Sequence, residues 1–449
     1  KLSALAKRRG FIYPGSEIYG GLANTYDYGP VGAELLRNVR NLWWSNFVTN
    51  REDIVGIDAS LISSHKIWDA SGHTSGFSDA MVDCKNCKSR FRADHLIEDS
   101  LKKNVEGLNE KELGKIIKDN KISCPNCKKS SWTEVRKFNL LFPVKLGILE
   151  GEQSLAYLRG ETAQGIFTNF KNVIDTTRIK LRFGIAQLGK SFRNEITLGN
   201  SVFRTIEFEQ AEIEYFFNPE KDDWEKLFEA WKDKMWKFIT KEIGINEKNL
   251  KWRTHTDKER SFYSKKTEDL EYNYPFGFKE LWGLAYRTDY DLKKHSEHSG
   301  IDLSIQDPQT TKKITPHVIE PAVGINRIFL MILADSYTEE SDRVVLKINP
   351  KIAPYKAAVF PLLANKPELV KKAKEIFDEL KSQFNVYWDD RGNIGKRYFT
   401  QDEIGTPFTV TVDFDSLEDD TVTIRNRDTK KQDRVKIEKI TEILQKALN

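Results

Sequence analysis

The sequence predicts an α+β chain that ends in a smaller α/β unit. Strand-like segments at 53–62, 183–193, 203–216 and 280–288 are interspersed with helical patterns at 33–49, 221–242 and 324–337. Two prolines in INPKIAPYK (348–356) mark a linker, after which strand and helix signals alternate for roughly 100 residues. Two C-x-x-C pairs sit inside the first part and set a small unit of their own between them.

Each element has a local cause. In 33–49, Leu35, Leu36, Val39, Leu42 and Trp43 recur at helical spacing after the turn signal D-Y-G-P, and DIVGIDASLI (53–62) then alternates as a strand. Residues 97–121 are rich in lysine and glutamate and read as helical. KDDWEKLFEAWKDKMWKFITKE (221–242) reads as a long helix with one solvated face, and GINRIFLMILADSY (324–337) as a buried one. Beyond the linker come strand 357–362, helix 366–383, strand 385–389, a glycine-bearing loop, strands 408–413 and 421–426, and helix 433–448. There is no internal repeat and no low-complexity tract.

The chain has 449 residues, enough for two or three domains. Its 71 basic and 67 acidic residues leave a net charge of +4, too mild to announce nucleic acid without a local patch. No apolar run reaches the roughly 18 residues of a membrane span. The opening KLSALAKRRG lacks the apolar core of a signal peptide. All four cysteines fall in C-x-x-C pairs, which suits a reducing compartment, so a cytoplasmic protein is expected.

Cys84 and Cys87 are followed, after 36 intervening residues, by Cys124 and Cys127. Four thiolates in two knuckles complete a closed tetrahedral site, so the expected metal is structural zinc. The other readings are a redox dithiol, for which the two pairs would need independent explanations, and a site that has lost its metal.

Arg193 lies in SFRNE (191–195) and Arg327 in EPAVGINR (320–327), with FRTIEFEQAE (203–212) between them. A guanidinium is always charged, and its planar fork suits phosphate and carboxylate. Arg193, Arg204 and Arg327 can offset a triphosphate, Phe208 can stack on a purine, and Glu195 can accept from an exocyclic amine. Period-two alternation along 203–216 puts Arg204, Phe208, Glu212 and Glu214 on one face, with Glu207 and Glu209 on the other. G-x-x-x-x-G-K-[ST] is absent, which excludes a P-loop. His295 and His298 (H-S-E-H) read as part of a polar loop rather than a metal pair.

In these frames the chain resembles a known family. FRNE with RTIEFEQAE looks like motif 2 of the class II aminoacyl-tRNA synthetases, EPAVGINR like motif 3, and helix 33–49 with strand 53–62 like the dimer-forming motif 1. KRRGFIYPGSEIYGG (7–21), RFRADH (90–95), LRGETAQGIF (158–167), KELWG (279–283) and QDEIGTPF (401–408) narrow the resemblance to the homodimeric, glycine-specific branch. It implies an antiparallel catalytic sheet flanked by helices over 1–347. It also implies a zinc-binding insertion at 82–136, a helical insertion at 218–275 and an anticodon-binding domain at 348–449.

The resemblance further implies ligation of glycine to tRNA(Gly) through glycyl-adenylate, with ATP and Mg²⁺. Arg193 would bind the α-phosphate and the amino-acid carboxylate, Glu195 the adenine, and Arg204 with Arg327 the γ-phosphate. Phe208 would stack on adenine against Arg327. Asn194, Phe203, Thr205, Glu280, Leu281 and Gly324 would complete the ATP site. Glu161, Glu212 and Glu320 would surround the glycine ammonium, with Arg92, Phe208, Gln210, Ala322 and Gly324 beside them. Ala322 departs from the family's usual serine. A non-catalytic nucleic-acid-binding relative is the competing reading, and the intact motif residues argue against it. In the C-terminal unit, Arg391, Lys396 and Arg397 interleave with Tyr398 and Phe399, a pattern that can hold phosphates and stack bases, while RNRDTKK (425–431) reads as a charged turn.

Overall fold

The computed structural model describes all residues except 104, 106, 148–153, 196–199, 258, 262, 307–310 and 449. Its centre is a seven-stranded sheet in the order Leu250–Thr254, Lys266–Tyr274, Gly277–Thr288, His317–Gly324, Glu207–Phe217, Phe183–Phe192, Ile54–Gly56. Every neighbouring pair is antiparallel except the last, where Ile54–Gly56 runs parallel to Phe183–Phe192.

Pleating sorts each strand between two layers. Along Glu207–Phe217 the odd-numbered Ala211, Ile213, Tyr215 and Phe217 join a core with helices Pro30–Trp44, Trp224–Lys237 and Ile325–Ser336. The even-numbered Phe216 packs on the other face with Phe167 and Phe170 of helix Ala163–Thr177. Helix Pro30–Trp44 sits tight on the N-terminal segment. A Cβ at Gly32 would fall 1.9 Å from the Phe11 carbonyl oxygen, so only glycine fits there.

Several expectations are corrected. The strand expected over 53–62 is three residues long, and Ile62–Ser64 belongs to another sheet with Ser154–Leu158 and Phe142–Leu146. The strand expected from 203 begins at Glu207, because Ser201–Phe203 forms a 3₁₀ turn and the Thr205 hydroxyl donates to the Glu207 carbonyl at 2.8 Å. Arg204 therefore lies outside the strand's alternation. The 218–275 segment is helical only at first. Its second half supplies two outer strands of the main sheet, where Leu270, Tyr272 and Tyr274 are buried at every second position. The 97–121 segment holds two helices, Ala93–Leu101 and Glu110–Asp119, the second started by an Asn109–Glu112 capping box. Residues 104 and 106 of that segment lie outside the described residues.

The C-terminal unit has a five-stranded sheet ordered Val386–Trp388, Ala357–Pro361, Phe408–Val412, Thr421–Asn426, Gln432–Lys436, covered by helix Pro367–Lys381. The loop expected at 389–399 becomes helix Ile394–Ile404, capped by Asn393, and the helix expected from 433 starts at Ile440 after a strand. Arg397 is only 2% exposed and donates to the carbonyls of Pro361, Gly392 and Arg391, so it is a structural cation, while the Tyr398 hydroxyl meets Thr411. Arg391 and Phe399 remain exposed. The expected charged turn at 425–431 is half buried. Arg425 grips Asp402 with both Nη atoms at 2.8 and 2.9 Å, and Arg427 donates to the Gly405 carbonyl. Asp402 also accepts from Arg343 at 2.8 Å, which joins the unit to the body of the chain. Among the described residues no helix is long and apolar enough to cross a membrane.

Candidate active site

The polar face of the central sheet lines a cavity of about 250 Å³. Its floor is the even face of Glu207–Phe217, which presents Phe208, Gln210 and Glu212. The adjoining strands add Glu280, Gly283, Glu320, Ala322 and Gly324. Arg193 directly follows the neighbouring strand Phe183–Phe192, and Arg327 lies in the first turn of helix Ile325–Ser336.

Cations gather at one end. The Arg193 guanidinium lies between the rings of Phe77 and Phe208, 5.0 and 5.2 Å from their centroids, and its Nε donates to the Gly160 carbonyl at 3.0 Å. Arg204 Nε donates to Glu195 at 2.7 Å. Arg327 lies 4.5 Å over the Phe203 ring and bonds the carboxylate and the carbonyl of Glu280, both at 3.0 Å. The Arg327 charge holds the Glu280 carboxyl below its ordinary range. His255 and Asp269 pair at 2.6 Å in the same cavity, and that bond raises the imidazole's affinity for its proton.

Carboxylates crowd the other end, where Glu161, Glu212 and Glu320 all face the cavity. Glu161 sits 3.3 Å from His73 Nε2 and accepts from Gln164. Burial alone raises its carboxyl, yet the His73 charge wins and holds it low. Glu212 accepts from the Thr162 hydroxyl and, at 2.9 Å, from Gln210. Its carboxyl is raised by burial and then by the Glu161 charge. Glu320 accepts from Arg287 at 2.5 Å. Burial pushes its carboxyl up to about 8 against the pull of Arg287, helped by Glu212 and Glu161. Arg287 itself is 1% exposed, doubly bonded to Asp291 at 2.8 and 2.9 Å, and stacked 4.0 Å from the Tyr263 ring. Behind them Glu214 is fully buried and neither oxygen has a hydrogen-bond partner among the described residues; burial and Glu320 raise its carboxyl strongly.

A second candidate centre lies in the insertion. Strand Ser78–Asp83 runs directly into Cys84, and the two knuckles repeat one geometry. Lys88 and Lys128 each take φ +62°, with amides bonded to the Cys84 and Cys124 carbonyls. The four Sγ atoms lie within 4.8 Å of one another, and Cys84–Cys127 and Cys87–Cys124 are each 3.6 Å apart. Zinc with four bonds of ~2.3 Å needs an Sγ–Sγ edge of about 3.8 Å. The donor set therefore fits a closed zinc site. Elemental analysis of freshly purified protein should give about one zinc per chain, and a stoichiometry near zero would overturn the assignment.

Comparison with known proteins decides the family. The chain is 51% identical over 460 residues to the glycine–tRNA ligase of Clostridium acetobutylicum, covering 100% of this chain and 98% of the relative. It is 51% identical over 464 residues to that of Clostridium perfringens and 50% identical over 458 to that of Caldanaerobacter subterraneus subsp. tengcongensis, with the same coverage. This chain belongs to the glycine–tRNA ligase family. Residues 356–447 match the anticodon binding domain family, and 79–113 and 100–140 match glycyl-tRNA synthetase insertion domain 1.

Of the residues that resemblance to this family singles out, the cavity brings together Arg193, Glu195, Phe203, Arg204, Thr205, Phe208, Glu280, Gly324 and Arg327 at the cationic end. At the acidic end it collects Glu161, Gln210, Glu212, Glu320 and Ala322. Three fall elsewhere. Leu281 is fully buried in the main core, because the register of Gly277–Thr288 shifts between Glu280 and Trp282 and leaves it as the extra residue of a bulge. Asn194 is not among the residues that line the cavity, and its backbone N–H donates to the Leu140 carbonyl at 2.8 Å. Arg92 sits in the insertion, paired with Asp79 and Asp94 at 2.9 and 2.5 Å. Arg327 faces Phe203 rather than Phe208, and Arg193 takes the place against Phe208. The expected polar loop with His295 and His298 is helix Tyr290–Ser299, where His295 is buried against Gln164. Arg287, Asp291, His73 and Gln164 were missed by sequence reasoning. For the first two, the only signal was the spacing Arg287–Asp291 at i,i+4.

Proposed function

We propose that the chain attaches glycine to tRNA(Gly) in two steps at this cavity. The observation that carries the reading is a niche of three carboxylates opening directly beside Arg193, Arg204 and Arg327. An ammonium can gain up to about 4 kcal/mol from each nearby carboxyl that is ionised, at intermediate dielectric and before desolvation. A larger amino acid is refused sterically, since overfilling a packed site costs roughly 1–3 kcal/mol.

In the first step a glycine carboxylate oxygen attacks the α-phosphorus of ATP. The P–O bond to the β-phosphate breaks, and pyrophosphate leaves. Arg193 offsets charge on the α-phosphate while Phe208 and Glu195 hold the adenine, so catalysis is positional and electrostatic. Glu280 and Asp269 are oxygen donors suited to the Mg²⁺ that accompanies ATP and screens its phosphates. In the second step a hydroxyl of the terminal tRNA ribose takes the glycyl group and AMP departs. We read residues 348–449 as the anticodon-binding domain, the chain as a cytoplasmic homodimer, and the knuckle metal as structural zinc.

Glycine-dependent ATP–pyrophosphate exchange tests the proposal. Exchange should appear with glycine and stay at background with serine, alanine or proline. Equal exchange with alanine, or none with glycine, would refute it.

A further inference from the structure

Arg204 occupies an awkward place for a phosphate-binding residue. It follows a 3₁₀ turn and precedes the strand, so no ladder of backbone bonds fixes it. A long cationic side chain in such a place loses much rotamer freedom when it grips a ligand, unless something already holds it. Glu195 holds one edge through Nε at 2.7 Å. A single contact leaves the guanidinium plane free to turn about it.

The other edge faces the zinc-knuckle insertion. Asp79, on strand Ser78–Asp83, is 8% exposed and places Oδ2 4.0 Å from Arg204 Nη2. Its Oδ1 meets Arg92 Nη1 at 2.9 Å, across a hairpin that pairs Met81 with Arg92. Arg92 is clamped in turn by Asp94, with Nη2 at 2.5 Å and Nε at 3.1 Å. Among the described residues, both of Arg92's ion pairs go to carboxylates of the insertion, Asp79 and Asp94. Without Arg92, Asp79 would be a carboxylate buried beside Glu195 with only a distant cation.

We propose that Asp79 and Arg92 are positioning residues for ATP, acting through Arg204, and that Arg92 does not touch glycine. This rests on the reading of Arg204 as a phosphate-binding group. It gives the insertion a part in substrate binding: the hairpin that leads into the cysteine knuckles sets the angle of a guanidinium in the catalytic cavity.

Glycine-dependent exchange by wild type, Asp79→Asn, Arg92→Lys, Arg204→Ala and the Asp79→Asn/Arg204→Ala pair tests it. Asp79→Asn and Arg92→Lys should each raise the KM for ATP about tenfold, within the usual range of coupling between sites, and leave the KM for glycine within about twofold. In the Arg204→Ala background Asp79→Asn should add nothing further. A glycine KM that rises as much as the ATP KM would overturn the proposal, as would an unchanged ATP KM or full multiplication of effects in the double variant. Should Asp79→Asn fail to fold, Arg92→Lys combined with Arg204→Ala runs the same cycle. Absence of exchange in the wild type would instead count against the proposed function.

Discussion

Arg193→Ala should abolish glycine-dependent ATP–pyrophosphate exchange, with a loss on the order of 10³-fold. One preorganised donor to developing charge is typically worth 10²–10³ in rate. Arg193 stands at the cationic end, and its charge reaches Glu212 at the acidic end, so on the proposed reading its loss also removes the group that aligns carboxylate with α-phosphorus. Its guanidinium is fixed before any substrate arrives, by the Gly160 carbonyl and by two rings. That preorganisation is what alanine removes. The fold should survive, because the side chain belongs to the cavity wall and not to a core. Circular dichroism and thermal unfolding check that point, and near-normal exchange in a folded variant would refute the role.

Raising the pH from 6.5 to 9 should lower the KM for glycine, and Glu320→Gln should remove that gain. Burial with Glu212 and Glu161 lifts the Glu320 carboxyl to about 8, so near neutrality it holds a proton and offers an ammonium no charge. Above that pH it ionises and the niche gains a carboxylate. One such charge can supply up to about 4 kcal/mol before desolvation, so wild type and variant should separate by tenfold to a hundredfold in glycine KM at pH 9. They should nearly coincide at pH 6.5. The sign for stability is opposite. The folded state holds a proton that an unfolded carboxyl releases near pH ~4.3, so the native chain loses stability as pH rises from there to about 8. Glu320→Gln should therefore be the more stable protein at pH 9. Parallel pH profiles for the two, in KM or in unfolding, would sink the assignment.

The sites differ in how far they could be read from sequence. Phe208, Gln210 and Glu212 share a face because a strand alternates with period two, a local rule that holds wherever the strand is. The four cysteines were equally legible, since a C-x-x-C knuckle is closed by its own backbone. Arg204 reaches the same cavity by another route, from the 3₁₀ turn that precedes the strand, so its placement does not follow from the alternation. Arg397 looked like part of a solvated, RNA-facing loop, and Arg425 and Arg427 like a charged turn. They are buried because Asp402 and several carbonyls, brought near only by folding, satisfy their donors.

What the chain's order of residues determined was the class of fold, the two knuckles, and the faces of the strands that line the cavity. Each depends on spacings of a few residues. Only the tertiary structure decided how those pieces charge one another. Glu161 finds His73 and Glu320 finds Arg287 across long stretches of chain, and Asp79 reaches Arg204 from a separate sheet. Electrostatic energy depends on distance through space and on exclusion of water, and neither is encoded by nearness along the chain.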